Sequence, residues 1–527
     1  MHKQPEQPRP IYNAVRNLSV ILLFVLILGV SQAPHTAYAG GTLAFARAND
    51  ANTLDPGRSP DLESSKILSN VYEGLVAVSA NGSTIIPALA KSWETSADKT
   101  EWVFHLRNDV TFHDGTPFTA DAVVFSFMRQ LDSQLPYFAG DSAISRFTFR
   151  HIEDVKAVGP YTVLIRLDVP FAPFLHNMSM SSASVISPNG FSKGIDADIL
   201  AGTGPYRAAS WEKGKHIVLS AHPHYWNGAP ELATVVIKVI PEASDRLTAL
   251  KVGFIDAFDG VTADIARQAA KNDNLTITSR TGLRIAYLAM NTQKKPFTDV
   301  RVRKAVNMVV NKEPLQRIIY GNTAVAAYNV IPDTVWSYDE TIQPYPYDPA
   351  KARQLLAEAG YQEGFTATLY FCPCSFYPSG LETILKSELA AINVTLNIRY
   401  AECKEHLRAT SNGEHDMCII SWGGYNSGPD NFFYPLFHPE SAQKQDAQNR
   451  AFYTNLEVRD LIEKALQETG QEERKKIYWK IQHIIRDDAP WVPLVYNREM
   501  LVHSNNVTGL LLDATGVARF HKAHVNH

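Results

Sequence analysis

Residues 419–433 read IISWGGYNSGPDNFF. The stretch opens as an apolar strand that stops at Trp422. A loop follows, with Gly423, Gly424, Gly428, Pro429, Asn426, Asn431 and one acid, Asp430. Glycine lets a backbone take unusual angles and lets another backbone come close. Trp422 and Tyr425 add flat apolar area with a polar edge. These residues read as the lip of a binding cleft. On residue types alone, an ordinary strand exit with a packed tryptophan looks the same.

Upstream, the pattern is strand 366–371, helix 381–392, strand 394–400, helix 402–411 and strand 416–421. That β-α-β-α-β order implies an α/β fold with a parallel sheet covered by helices. In open sheets of this kind, ligands bind beyond the carboxyl ends of the strands. Three ends, Phe371-Cys372, Tyr400-Ala401 and Ser421-Trp422, should therefore share one rim. The segment CPCSFYPSG (372–380) and Glu402-Cys403 should neighbour the opening stretch.

Further out, a strand is expected at 285–291. A helix capped near Asp299 should run through Val302, Val306 and Val309. Asp348-Pro349 reads as an N-cap with proline in the first turn, and Gly360 as its C-terminal glycine. Helices at 457–468 and 472–487 precede the apolar run 491–495. Residues 42–290 read as β-rich, with strands at 43–47, 101–107, 161–167, 218–220 and 235–240. Residues 62–75 have helical spacing, Thr119 reads as a helix cap, and NTLDPG (52–57) reads as a turn. GTGPY (202–206) is a tight loop without the strand–GxGxxG–helix context of a dinucleotide site.

The 527 residues exceed one hydrophobic core, so two or more lobes are expected. The formal charge of −4 implies no polyanion-binding surface. Lys3, Arg9 and Arg16 precede the apolar run LSVILLFVLILGV (18–30), and Ala37-Tyr38-Ala39 follows. This pattern predicts a signal peptide over 1–39, cleaved after Ala39, and an exported, periplasmic protein. The four cysteines, Cys372, Cys374, Cys403 and Cys418, are too few to carry the fold. They read as a disulfide or as structural thiols, their pairing open; C-P-C is not a standard metal spacing. The sequence has no P-loop, HExxH or G-x-S-x-G, so neither an enzyme nor a cofactor is expected.

Several motifs carry a resemblance. PALAKSWETSADKTEWVFHLRNDVTFHDGTPFTADAVV (87–124) resembles the signature of the family 5 extracellular solute-binding proteins, receptors of peptide, opine and nickel ABC importers. GTGPY (202–206), residues 290–312, YDPAKARQLLAEAG (347–360) and GEHD (413–416) are similar to the same family. The resemblance covers about residues 40–520. It implies a type II periplasmic binding protein with two lobes: lobe I at 40–285, lobe II at 286–497, and a return to lobe I at 498–527. Crossing strands would form a hinge, and closure around a ligand would precede docking on membrane permeases. It implies a monomer with no metal, cofactor or nucleic acid.

The resemblance also implies that a bound peptide lies along Trp422, Gly423 and Gly424 like an added strand. Peptide-binding members place an Asp three residues after the Trp, where this chain has Tyr425. They place an Arg in the preceding loop, where Phe376 is the nearest match. With both grips replaced, a free dipeptide is expected to bind poorly. Trp422, Tyr425, Phe376 and Tyr377 suit an aromatic, apolar or cationic ligand. Asp430 or Glu402 would take over an ammonium, and Asn52, Thr53, Thr203 and Tyr206 are the first-lobe candidates. The same fold binding a haem or metal chelate is a second reading, and a sensor or chaperone-like binding protein is a third.

Overall fold

The computed structural model describes residues 40–59, 61–79, 82, 84–189, 200–374, 377–424, 426–513 and 515–526. Residues 1–39 and the cleavage site expected there lie outside them, as do Phe376 and Tyr425.

One large sheet runs through the molecule. Its strands are β1 (Thr42–Arg47), β2 (Tyr206–Glu212), β3 (His216–Ala221), β4 (Thr234–Val239), β5 (Ala257–Phe258), β6 (Leu275–Met290), β7 (Phe365–Phe371), β8 (Val394–Tyr400), β9 (Met417–Gly423) and β10 (Trp491–Ser504). Their order is β8-β7-β9-β6-β10-β5-β1-β4-β3-β2, and the short strand Ala324–Ala326 also pairs with β10. The long strands β6 and β10 run antiparallel in the middle, from Leu275↔Ser504 to Ala289↔Trp491. They cross from the β-rich half into the α/β half. A separate four-stranded antiparallel sheet is built from Ala90–Thr95, Glu101–Leu106, Thr162–Leu167 and Ile152–Gly159.

The α/β half follows the sequence pattern. β7 pairs parallel with β8, and Phe371 lies opposite Tyr400. It also pairs parallel with β9. Helices α2 (Val300–Val309), α3 (Pro349–Glu358) and α4 (Leu381–Ala390) cover one face, following α1 (Leu62–Leu68) of the first half. Along β6, side chains alternate between two cores, as a two-residue period requires. Ala286, Leu288 and Met290 pack with Val306, Leu369 and Leu385. Ile285, Tyr287 and Ala289 pack with Phe433, Tyr478 and Trp491 on the other face. In the first half, Leu43, Tyr206, Leu219 and Val235 share a core with Leu501 of β10 and with Phe520 from beyond it.

Local expectations are met unevenly. Asp299 and Asp348 accept cap bonds from Arg301 N and Lys351 N, both at 2.8 Å. Thr119 sits at the N-cap of Ala120–Leu131 with no side-chain cap bond. The helix expected over 62–75 ends at Leu68. Residues 70–72 instead receive the GTGPY loop: Gly204 N donates to Val71 O at 3.0 Å. A Cβ on Gly202 would lie 2.3 Å from Val71 O, so only glycine permits the approach. In the opening stretch, β9 runs on to Gly423. The residues read as loop end at Asp430, where α6 (Asp430–Phe437) starts after α5 (Cys403–Ser411). Phe432 and Phe433 on this helix are fully buried. That burial draws the segment into helix despite its loop-like composition. α7 (Leu456–Gln467) and α8 (Gln471–Asp488) complete the set.

Candidate functional site

The rim forms where strand order places it. Cys372, one residue past β7, is disulfide-bonded to Cys403 at the start of α5, with Cα atoms 5.5 Å apart. Cys374 is half-buried with a free thiol, and Cys418 is buried inside β9. Cys374 and Tyr377 exchange two backbone bonds of 3.2 Å, which closes the turn between them. The Tyr377 hydroxyl is held in its neutral form by burial and by the neighbouring Cys374.

β9 pairs with β6 over seven residues, from Gly423↔Arg284 to Met417↔Met290. With β7 it pairs only at Met417 and Cys418. Beyond Cys418 the two parallel strands part, so the β7-facing edge of residues 419–423 is not laddered to β7. Gly424 N donates to Leu283 O at 2.9 Å, which continues the bonding on the β6 side. An edge of this kind is a template for an extended guest backbone. Trp422 is half-buried, and its indole donates to Asn431 O at 2.8 Å.

A set of charged side chains meets at this end of the sheet, and the sequence reading missed it. Arg284 stands on β6 opposite Gly423, half-buried. Its Nη1 donates to Ser421 Oγ at 3.3 Å. Its guanidinium lies where a side chain on Gly423 would sit, with Nη2 2.8 Å from the place of a Cβ. Burial lowers its pKa, and Glu499, Cys374, Tyr377 and Glu63 oppose that effect. From α1, Glu63 bonds Arg47 of β1 and pairs with Lys66 at 3.3 Å. Burial pulls the Lys66 ammonium down, but Glu499, Asp259 and Glu63 outweigh it and raise its pKa. Glu63 is held low by Lys66 and Arg47 against its own burial. Asp259 is pushed up by burial against Arg47 and Lys66. One signal in the sequence was available: Arg284 is a lone cation in the apolar run LRIAYLAM.

The remaining candidates do not all join this group. Asp430 is buried and accepts from Arg474 Nη2 at 3.3 Å; burial raises its pKa against Arg474 and Arg150. Its charge is therefore committed inside the protein. Glu402 is the exposed N-cap residue of α5, beside the disulfide. Asn52 donates to Asp61, and Thr53 accepts from Asp55 N. Thr203 donates to Glu73 at 2.8 Å, and Tyr206 donates to Phe520 O at 3.3 Å. Both are fully buried, so their hydroxyls serve the first half's own packing.

Across the gap, the two halves touch. Asn426 donates to Asn177 Oδ1 at 3.3 Å, and Ala172 N donates to Leu466 O at 2.7 Å. The Arg150 guanidinium lies 5.5 Å from the Tyr434 ring centroid. Nearby, a cavity of about 120 Å3 is lined by Leu62, Ser65, Met180, Ser181, Asp513 and Arg519, among others.

The chain is similar to known proteins along most of its length. Residues 84–444 match the middle part of the bacterial extracellular solute-binding proteins, family 5. The chain is 33% identical over 485 residues to heme-binding protein A of Haemophilus influenzae, spanning 86% of this chain and 87% of that protein. It is 32% identical over 478 residues to the dipeptide-binding protein of Escherichia coli, spanning 85% and 88%. A solved structure of the periplasmic binding protein DppA of Helicobacter pylori, in complex with the peptide STSA, superposes with a TM-score of 0.76. That pair shares 34% identity over 93% of this chain and 98% of the other.

Proposed function

Because the chain belongs to the family 5 bacterial extracellular solute-binding proteins, we propose that it is the substrate-binding component of an ABC importer and captures a peptide or related small solute. The observation that carries this reading is the parting of β9 from β7. It leaves a strand edge at 420–423, beyond the Ile419 carbonyl that His406 bonds at 3.0 Å, beside a cluster of charges and next to the gap between two halves. An extended ligand lies along Trp422, Gly423 and Gly424. The lobes, 40–285 with 498–527 and 286–497, close around it by bending of β6 and β10. Closure works only through the ligand's greater affinity for the closed form, and the closed receptor docks on membrane permeases as a monomer. No covalent step is needed. The segment 1–39 directs export, with cleavage after Ala39.

The test is thermal unfolding against a peptide panel. A ligand at about 100 times its Kd adds about 2.7 kcal/mol, a shift of several degrees. No shift with any di-, tri- or tetrapeptide overturns the peptide reading.

The relative named heme-binding protein A favours haem as a second ligand class. Cys372 and Cys403, being bonded to each other, offer no thiolate to a haem iron or other metal. A Soret band that appears on titration with haemin and saturates at one equivalent would support this class over peptides.

A further inference from the structure

We propose that the seam between the two halves holds one small monovalent anion, of the size of chloride, between Arg150 and His176 of the first half and Ser427 and Arg474 of the second. The inference rests on the reading that the halves close on each other, and not on what the cleft captures. Four observations converge.

The first is a set of buried polar atoms. Among the described residues, Arg150 Nε and Nη2, His176 Nε2, Ser427 Oγ and Arg474 Nε are shielded from solvent and bond to no protein group. Ser427 is fully buried, and Arg474 is 4% exposed. Buried polar atoms are paired as a rule, so this many orphans in one place point to a bound species that supplies the acceptor.

The second is that these groups lie together. Arg474 Nη2 donates to Asp430 Oδ1, at 3.3 Å, and to the Tyr478 hydroxyl, at 3.3 Å. A Cβ on Gly428 would lie 2.7 Å from Asp430 Oδ1 and 3.5 Å from His176 Cγ. The His176 ring and the Asp430 carboxylate therefore flank the same bare glycine, next to Ser427. Arg150 is in electrostatic reach of Asp430 and Tyr478, and Arg474 is in reach of His176.

The third is charge. Two guanidiniums face Asp430, the carboxylate in electrostatic reach of both. One positive charge is left over, and leaving it uncompensated away from water is costly. Burial, helped by Arg474, lowers the His176 pKa to about 3, so this ring is neutral and adds no charge. A single negative charge balances the group. A dianion would overshoot, and would lose more hydration on entry.

The fourth is the chemistry on offer. Guanidinium, hydroxyl and neutral imidazole all donate hydrogen bonds, here from different sides. A spherical halide accepts from every direction. Asp430 Oδ2, also without a partner, opposes an anion, and the two guanidiniums outweigh it. Donors from both halves reach one ion only while the halves are in contact. The ion therefore favours closure, and closure favours the ion, by the same factor.

Chloride is the probe on the full mature chain, with gluconate as the bulky replacement at equal ionic strength. The chloride NMR line should broaden with a saturable component that bromide displaces. Thermal unfolding should rise by about 2 to 3 °C at a chloride concentration about 100 times its Kd. The radius of gyration in solution scattering should be smaller in chloride than in gluconate. Arg150→Met should lose the saturable broadening and both differences between the salts. Ser427→Ala should weaken chloride binding by about 5-fold. Arg408→Gln, a surface control, should match the wild type. Arg150→Met also loses its contact with the Tyr434 ring, so the anion is read from the difference between salts.

No saturable broadening in the wild type overturns the assignment, since water alone then fills the seam. Broadening that survives unchanged in both seam variants overturns it too, because the ion then sits elsewhere. Equal radii in the two salts overturn the bridging role. The peptide panel reads capture of a guest separately, and its failure would leave the anion assignment standing.

Discussion

His415 shows what burial does to one side chain. It is fully buried in the GEHD segment, and its Nε2 bonds Arg450 O at 2.8 Å. Burial lowers its pKa to about 3. The folded state therefore keeps a neutral imidazole where the unfolded chain, with an ordinary value near 6.5, takes up a proton. The sign follows: the stability tied to this group is complete above pH ~6.5 and drains as pH falls towards about 3. By pH ~5 it has lost about 2 kcal/mol. An NMR titration should find the His415 ring signals unchanged from about pH 7 to about pH 5; a midpoint above about 5.5 contradicts the assignment. At this scale the sequence was only partly legible. Trp422 could be placed at the rim from its strand and its glycines. Arg284, Glu63 and Lys66 could not, because the direction a charge faces depends on which elements later meet it. Asp430 invited the opposite error: an acid in a loop-like stretch reads as exposed, but the chain folds it inward against Arg474.

Elements were more legible than residues, and the exceptions are instructive. The β7-α4-β8-α5-β9 run was readable because apolar strands and helix-spaced segments alternate at regular intervals, although neither α4 nor α5 has a side-chain N-cap bond. The order of three strand ends then brought Cys372 and Cys403 together. What failed was local preference overruled by distant contact, as at residues 69–75, where the GTGPY loop claims the backbone. Caps give a direct comparison. Asp348→Ala removes a side-chain bond to Lys351 N and should cost about 1 kcal/mol in urea unfolding. Thr119→Ala removes no cap bond and should cost about a third of that or less. Equal costs would mean that the cap bonds do not set the difference. The disulfide closes a loop between residues 31 apart. The double variant Cys372→Ser with Cys403→Ser should lose about 3.7 kcal/mol on chain-entropy grounds. The loss should be matched by adding reductant to the wild type.

At the scale of the whole molecule, the question is what favours closure. The long strands β6 and β10 join the halves, so bending them brings residues 147–180 against 426–434. Arg150 lies over the Phe171 and Tyr434 rings, at 4.5 and 5.5 Å, and in reach of Asp430. Asn426 bonds Asn177 nearby. Arg150 and Asn177 face Tyr434 and Asn426 across the gap, so opening it would break the contacts between them. Phe171 belongs to the same side as Arg150 and is retained in both states. Removing the cross-gap part therefore destabilises the closed state alone, by about 1 kcal/mol for a cation over a ring. The ligand must then supply that difference, and its apparent affinity falls by up to roughly 5-fold although no ligand contact has changed. Arg150→Met keeps the apolar stem and drops the charge. It should weaken ligand binding about that much and enlarge the radius of gyration of the unliganded protein in solution scattering. The liganded form should remain as compact as the wild type. Unchanged affinity together with unchanged scattering would mean that this contact does not help hold the gap shut, and that the ligand and the hinge strands set the closed state by themselves.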